Sequence, residues 1–298
     1  MTVQTLAIVV LLVSFFVMIF LRFPIAYAVG LSSVLCMMVQ GQALTDVCRL
    51  MVKGISSFSL MAVPFFITMG VLMGSGGISE KLIALADACV GWMRGGMAMV
   101  NIVASYFFGG ISGSASADTA SIGGILIPAT INKGYDADVT VAVTATSSTI
   151  GVMIPPSIPM VIYGVSGQQS ISKMFMAGII PGILIAVGLS VMHFFLCRNL
   201  KTEGLDWSLK TFIHSLRDGF WSILAPVIIL GGIYAGIFTP TEAGGVGVLY
   251  CLIVGKFVYK GLRKEHFVPI LRETISGTAT VMLIIVSATV FGYYLNWE

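Results

Sequence analysis

Charge is what this chain has least of. Asp, Glu, Lys and Arg together make up 10% of its 298 residues, less than half the share usual in soluble globular proteins, which excludes an ordinary water-soluble domain. Histidine occurs only at His193, His214 and His266, too dispersed to suggest a ligand set. The five cysteines (Cys36, Cys48, Cys89, Cys197, Cys251) are odd in number and never in a Cys-x-x-Cys spacing. They read as small apolar packing residues, not as a metal or disulfide framework. No phosphate-binding loop, catalytic triad or metal signature is present, so nothing points to an ATPase or any other enzyme, and no cofactor is expected. No basic segment precedes the first apolar run, since Arg22 follows it, and a cleavable leader is not expected. The net charge of +3 is small, and no nucleic-acid partner is expected.

What the chain does have is apolar length. With 57% hydrophobic residues and a mean hydropathy of +1.00, it reads as an all-α polytopic protein of the inner-membrane type. Helices are the economical way to satisfy the backbone of such long runs in lipid. Its 34 glycines suit closely packed membrane helices.

Spans are expected at 3–21, 24–40, 54–77 and 174–197, with a short polar loop from Gly41 to Arg49 and an amphipathic piece from Ile78 to Arg94. Residues 97–132 are too broken for one span and read as a re-entrant hairpin, its tip at Ser112 to Asp118. A broken helix follows over 136–165, opened by Asp136 and Asp138, whose charges complement the helix dipole. Residues 198–218 read as an amphipathic cytoplasmic arm. Three further spans (219–238, 243–258, 274–294) are expected, with Glu242 at a helix start after Thr239-Pro240-Thr241.

Orientation follows from the basic residues. With the N-terminus outside and the hairpin entering from the cytoplasm, the inner side holds thirteen of the sixteen Lys and Arg; Arg49, Lys53 and Lys173 fall outside. The positive-inside rule prefers this arrangement. Residues 1–197 then make five crossings plus the hairpin, so a second unit over 219–298 enters with opposite polarity, as in an inverted repeat. That second repeat is incomplete, stopping where a second hairpin is due.

The chain is organised around 109–163, where two clusters rich in Gly, Ser and Pro interrupt apolar sequence. Such breaks persist at membrane depth only when buried in protein or lining a wet cavity. Sodium, a hard cation, favours oxygen ligands, and hydroxyls with carbonyls freed at helix breaks supply them. Candidates are Ser112, Ser114 and Ser116 at the tip and Ser147, Ser148, Thr149 and Gly151 at the break. Pro155 and Pro156 hold that break open, because proline cannot close the helical ladder. Asp118 is a functional candidate as an intramembrane acid, with a cap on the hairpin's second arm an equal reading and a salt bridge to a neighbour a further one. The competing use of all these small residues is a packing seam.

Ser112-Gly-Ser-Ala-Ser-Ala-Asp118-Thr-Ala, Gly134-Tyr135-Asp136 and Ser147-Ser-Thr-Ile-Gly-Val-Met-Ile-Pro-Pro-Ser-Ile-Pro159 closely resemble the DctM-type large membrane subunit of TRAP transporters. Phe238-Thr-Pro-Thr-Glu-Ala243 and Pro64-Phe-Phe-Ile also match, over essentially the whole chain. The resemblance implies an ion-transporter superfamily fold with an elevator motion. It implies sodium-coupled import of organic acids such as C4-dicarboxylates or sialic acid across the bacterial inner membrane, with a periplasmic N-terminus. An extracytoplasmic substrate-binding protein and a small DctQ-type membrane subunit are the implied partners. By that analogy Ser112, Gly113, Ser114, Ser147, Ser148 and Gly151 serve sodium, while Ser112, Ser114, Ser116, Asp118, Thr149, Pro155 and Pro156 serve substrate. The family continues into a second hairpin and broken helix, so this chain is expected to be a fragment of a longer protein. The alternatives are a carboxylate or citrate transporter without a binding protein, an inactive membrane fragment, and a structural membrane protein.

Overall fold

The computed structural model describes residues 3–93, 95–196 and 207–296. In chain order the helices are α1 (Val3–Phe20), α2 (Ile25–Gln40), α3 (Leu44–Ile55), α4 (Ala62–Ser75) and α5 (Ile78–Val90). Then come α6 (Gly96–Ser112), α7 (Ala115–Asn132), α8 (Ala137–Ser147), α9 (Ile150–Met153) and α10 (Ile158–Ser166). The last are α11 (Ile171–Leu196), α12 (Leu209–Tyr234), α13 (Pro240–Ile253) and α14 (Phe267–Leu295). Among the described residues there is no strand, and six helical segments are long and apolar enough to cross a membrane. The bent pair Ala137–Met153 and Ile158–Ser166 makes a seventh. The chain is an all-α, multi-pass membrane protein.

The helices pack as two compact units, Met1–Leu60 with Ile275–Glu298, and Met61–Thr274. The expected boundaries at 197 and 219 divide the chain by topology; the compact units follow packing instead, and α14 contributes to both.

In the first unit, α1 and α2 meet the second half of α14 around Leu11, Met37, Val290 and the fully buried Tyr294. The rings of Phe15 and Phe291 lie 5.4 Å apart. Gly41, at φ 70°, closes α2 in the left-handed region, where glycine has no Cβ to clash. The polar loop expected from Gly41 to Arg49 is instead mostly helix, α3. Its buried Val47 and half-buried Leu50, Met51 and Gly54 alternate at helical spacing with Asp46, Arg49 and Lys53, the pattern of an amphipathic surface helix. The expected third span is correspondingly shorter at its start, running over Phe58–Ser75.

In the second unit α4 packs on α13, where side chains at Gly244 and Gly247 would collide with Phe65 and Met69. Thr239 and Glu242 form a reciprocal capping box at the start of α13, with Pro240 in its first turn. The expected arm is not a separate helix. From Leu209 it continues unbroken through Asp218 into the following span as α12, because no proline precedes Pro226 and the apolar face simply extends. It is tied to α5 by Lys81 Nζ to Asp218 Oδ2 at 3.2 Å and by the Ser222 hydroxyl to the Ile78 carbonyl at 3.4 Å. The Tyr259 hydroxyl also donates to the Asp218 carbonyl at 2.8 Å. Arg94, the arm residues 197–206 with Arg198 and Lys201, and residues 297–298 lie outside the described residues.

Candidate functional site

The hairpin turns at Gly113, whose φ of 62° favours glycine. Ser114 follows as the N-cap of α7, its hydroxyl accepting from Ala117 N–H at 3.4 Å. Asp136 caps α8 by accepting from the N–H groups of Asp138 and Val139. The broken helix bends by 42° across Ile154–Ser157, where Pro155 and Pro156 bring no N–H to the ladder. Ser157 bridges the gap: its hydroxyl donates to the Val152 carbonyl at 2.5 Å and accepts from Met160 N–H at 3.4 Å.

The tip and the break meet. The Gly113 carbonyl accepts from the Ile158 N–H at 3.1 Å, so the hairpin reaches the interruption midway along 137–166 and is stitched to it. A Cβ at Gly113 would collide with the backbone of Pro156 and Ser157. Below that point α6 runs alongside α8 and α9 with a matched set of small and polar residues. Asn101 donates to the Thr144 hydroxyl at 2.6 Å and accepts from Ser147 at 3.1 Å. Ser105 bonds Ser147 at 3.2 Å. One turn further on, the backbones of Gly109 and Gly151 touch, leaving no room for a Cβ at Gly109. Pairing 101 with 144, 105 with 147 and 109 with 151 keeps the offset nearly constant, as parallel helices in register require.

Asp118 sits behind this seam in the first turn of α7, fully buried. The hydroxyls of Ser105 and Ser148 face it, but each has a single proton already directed elsewhere: Ser105 to Ser147, Ser148 to the Thr144 carbonyl at 2.8 Å. Among the described residues no hydrogen bond of good geometry reaches either carboxylate oxygen of Asp118 or the buried hydroxyl of Ser112. The capping reading of Asp118 fails, because Ser114 is the cap and the carboxylate binds no backbone N–H.

Of the residues expected at the site, Ser112, Gly113, Asp118, Ser147, Ser148, Gly151, Pro155 and Pro156 are all buried along this contact of tip and break. Ser114 is half-buried and shares a 3.0 Å hydrogen bond with the exposed Ser116. Thr149 is exposed, with its hydroxyl returned to the Thr146 carbonyl at 2.6 Å, so it faces away from Asp118's pocket. Asn101, Ser105 and Thr144 were not anticipated. Their signal is a period: polar residues at 101, 105 and 112, and at 140, 144 and 147, each fall on one helical face.

Comparison with known proteins gives the chain its family. Residues 12–298 match the family model described as "Tripartite ATP-independent periplasmic transporter, DctM component". The isethionate TRAP transporter permease protein DctMQ of Oleidesulfovibrio alaskensis is 42% identical over 278 residues, 92% of this chain and 44% of that protein. The sialic acid TRAP transporter large permease protein SiaM of Vibrio cholerae is 44% identical over 249 residues, 83% of this chain and 58% of that one. The C4-dicarboxylate TRAP transporter large permease protein DctM of Pseudomonas aeruginosa is 38% identical over 242 residues, 81% of this chain and 57% of that one. The chain thus spans about half the length of the curated relatives it matches. Members of this family are transporters, not enzymes. On the match of a single family model to nearly every residue, the chain belongs to the DctM component family of the tripartite ATP-independent periplasmic transporters.

Proposed function

We propose that this chain forms the first half of the transport site of a sodium-coupled, binding-protein-dependent importer of small organic acids in a bacterial inner membrane. The relatives named above carry sialic acid, a C4-dicarboxylate or isethionate in their names, all small anions. A small membrane subunit and an extracytoplasmic binding protein are the partners this reading assigns, and an elevator motion its mechanism. The N-terminus lies on the periplasmic side, in keeping with the thirteen basic residues that this orientation places inside.

One observation carries the reading: a fully buried carboxylate, Asp118, with no hydrogen bond of good geometry among the described residues, where the hairpin tip abuts a helix break. A bare buried charge costs several kcal/mol, and a membrane interior makes it dearer. A small hard cation cancels that cost, and oxygen-rich surroundings at Ser112, Ser148 and the freed carbonyls suit sodium. The hairpin that stops at the break is the re-entrant element such a site needs. The anion then meets the hydroxyl-rich tip at Ser114 and Ser116 and the N-terminus of α7.

The test is the melting temperature of the purified chain in sodium against potassium. Linkage predicts a sodium-specific rise that grows with concentration. Asp118→Asn removes the need for a counter-charge, so its melting temperature becomes independent of the cation. Ser114→Ala with Ser148→Ala weakens the sodium effect without loss of folding. A sodium response unchanged in well-folded Asp118→Asn overturns the assignment.

A further inference from the structure

At the end of the first unit shared by the C-terminus of α2 and the C-terminus of α14 there is an open pocket of about 500 Å³, lined by Gln42, Asp46, Arg49, Leu50, Lys53 and Tyr293. Asp46, Arg49 and Lys53 lie at i, i+3 and i+7 on α3 and share one face. Neither cation is within ion-pair distance of a carboxylate among the described residues, so the pocket carries two free positive charges against one negative. Gln42 is held in place: its amide oxygen accepts from the Tyr294 hydroxyl at 2.9 Å, which leaves its NH₂ as a donor toward the pocket. Tyr294 is itself buried in the core of this unit, so the donor is anchored.

Arg49 and Lys53 are also two of the three basic residues that break the inside preference of the rest. A pair of cations that the topology does not call for needs another reason. Their surroundings supply one. On α3 the exposed Leu44 and Val52, each 62% accessible, and Ile55 form an apolar side turned away from Asp46 and Lys53, which is how a helix lies at a bilayer boundary with basic side chains at headgroup depth. Tyr293, at the end of a span, sits where interfacial aromatics collect.

We propose that this pocket is a binding site for a phosphate oxyanion carried by a lipid headgroup, with Arg49 and Lys53 engaging the phosphate and Gln42 donating the third hydrogen bond. Arginine suits the role, since its planar fork matches two phosphate oxygens. The site belongs to the first unit alone and is independent of the transport reading.

The experiment uses the whole 298-residue chain, purified in lipid-free detergent. It is titrated separately with phosphatidylglycerol, phosphatidylcholine, inorganic phosphate and a poly-glutamate peptide. Melting temperature and lipid adducts retained in native mass spectrometry are read. Phosphatidylglycerol is expected to stabilise the chain and stay bound one to one, at concentrations where zwitterionic phosphatidylcholine does neither. Arg49→Gln with Lys53→Gln weakens that response about thirtyfold, at the strength usual for two basic residues near an anionic surface. Both positions are exposed, so the variant folds. The charge-preserving pair Arg49→Lys with Lys53→Arg retains binding, and Lys264→Gln with Arg272→Gln, which removes two exposed cations elsewhere, leaves it unchanged. Saturation by inorganic phosphate at the same pocket, with no preference for lipid, would keep the oxyanion and overturn the headgroup as its carrier. Equal phosphatidylglycerol responses from wild type and Arg49→Gln/Lys53→Gln, or a response confined to poly-glutamate, would overturn the proposal outright.

Discussion

Replacing Gly109 by alanine should loosen the joint on which the candidate site depends, and the size of the effect follows from the contact. A Cβ at Gly109 would fall well inside van der Waals contact distance of Gly151 Cα and lie 2.9 Å from its nitrogen. Neither atom belongs to a flexible side chain. Gly151 is fixed within α9 by its own N–H to the Ser148 carbonyl at 3.1 Å, and Gly109 is interior to α6. One helix must move, and overpacking of this kind costs about 1–3 kcal/mol. Loss of the Gly113 to Ile158 hydrogen bond adds about 1 kcal/mol, while the helix preference of alanine over glycine returns about 1 kcal/mol. The net loss is about 1–3 kcal/mol, a fall in melting temperature on the order of 5 °C for a unit of this size. Two companion substitutions make the reasoning discriminating. A Cβ at Gly151 would sit 3.0 Å from Gly109 Cα, tight but relieved by a small shift, and one at Gly124 meets nothing within 4 Å. Thermal unfolding in detergent should therefore rank Gly124→Ala at or above wild type, Gly151→Ala below it and Gly109→Ala lowest. A melting temperature for Gly109→Ala equal to that of Gly124→Ala would refute the direct backbone contact.

The buried ladder makes a second prediction. Asn101→Ala strands the partners at Thr144 and Ser147 and should cost about 1–3 kcal/mol; in a cycle with Ser147→Ala the double variant should lose less than the two singles added, because they share a bond. Thr239→Ala removes the hydroxyl arm of the capping box at α13, leaving the backbone N–H of residue 239 on Glu242, and should cost about 1 kcal/mol, with Thr239→Ser retaining most of the stability and hydrogen exchange reporting fraying of the first turn. Lys81→Met breaks an ion pair that is about 40% exposed on both sides, so its effect should stay within about 1 kcal/mol and shrink as salt is raised; a larger, salt-independent loss would mean the tie between α5 and α12 is not merely electrostatic.

The hairpin and the break were legible because their physical requirements are written in residue types. Gly113 is needed where φ is positive, and Pro155 and Pro156 where the ladder lacks donors. A serine at 114 then restarts a helix. Residues chosen on those grounds mostly lie together at the contact of tip and break. What was not legible depended on period instead of composition. The helix over Leu44–Ile55 was hidden because averaged hydropathy sees Asp46, Arg49 and Lys53 as a polar loop and ignores that they fall on one face. Asn101 and Ser105 were lost inside an apolar run for the converse reason: two polar residues barely lower the mean of a window, yet four residues apart they set a stripe. The continuity of α12 escaped because Trp207 to Asp218 is polar enough to suggest a surface segment, and only packing shows that the helix does not end there. Thr149 was misplaced by proximity, since a residue beside Ser148 in sequence points a third of a turn away.

The pattern of satisfied and unsatisfied groups separates packing seam from site better than residue type does. A seam of small residues exists only to bring backbones together, and every polar atom in it should find a partner within the protein, since an orphan at membrane depth has no water to turn to. The stretch from Asn101 and Thr144 to Ser105 and Ser147 meets that standard bond by bond. Past Ser147 it stops being met: among the described residues Ser112 Oγ and both oxygens of Asp118 have no hydrogen bond of good geometry, although Ser105 and Ser148 lie beside the carboxylate. That the hydroxyl protons are spent on Ser147 and the Thr144 carbonyl leaves the lone pairs of Ser105 and Ser148 facing the same space as the carboxylate. Acceptors converging without a donor repel one another, and either a proton on the carboxyl or a bound cation relieves them. The lower seam is therefore satisfied within the protein, and the groups beyond it are the ones the proposed cation site would use.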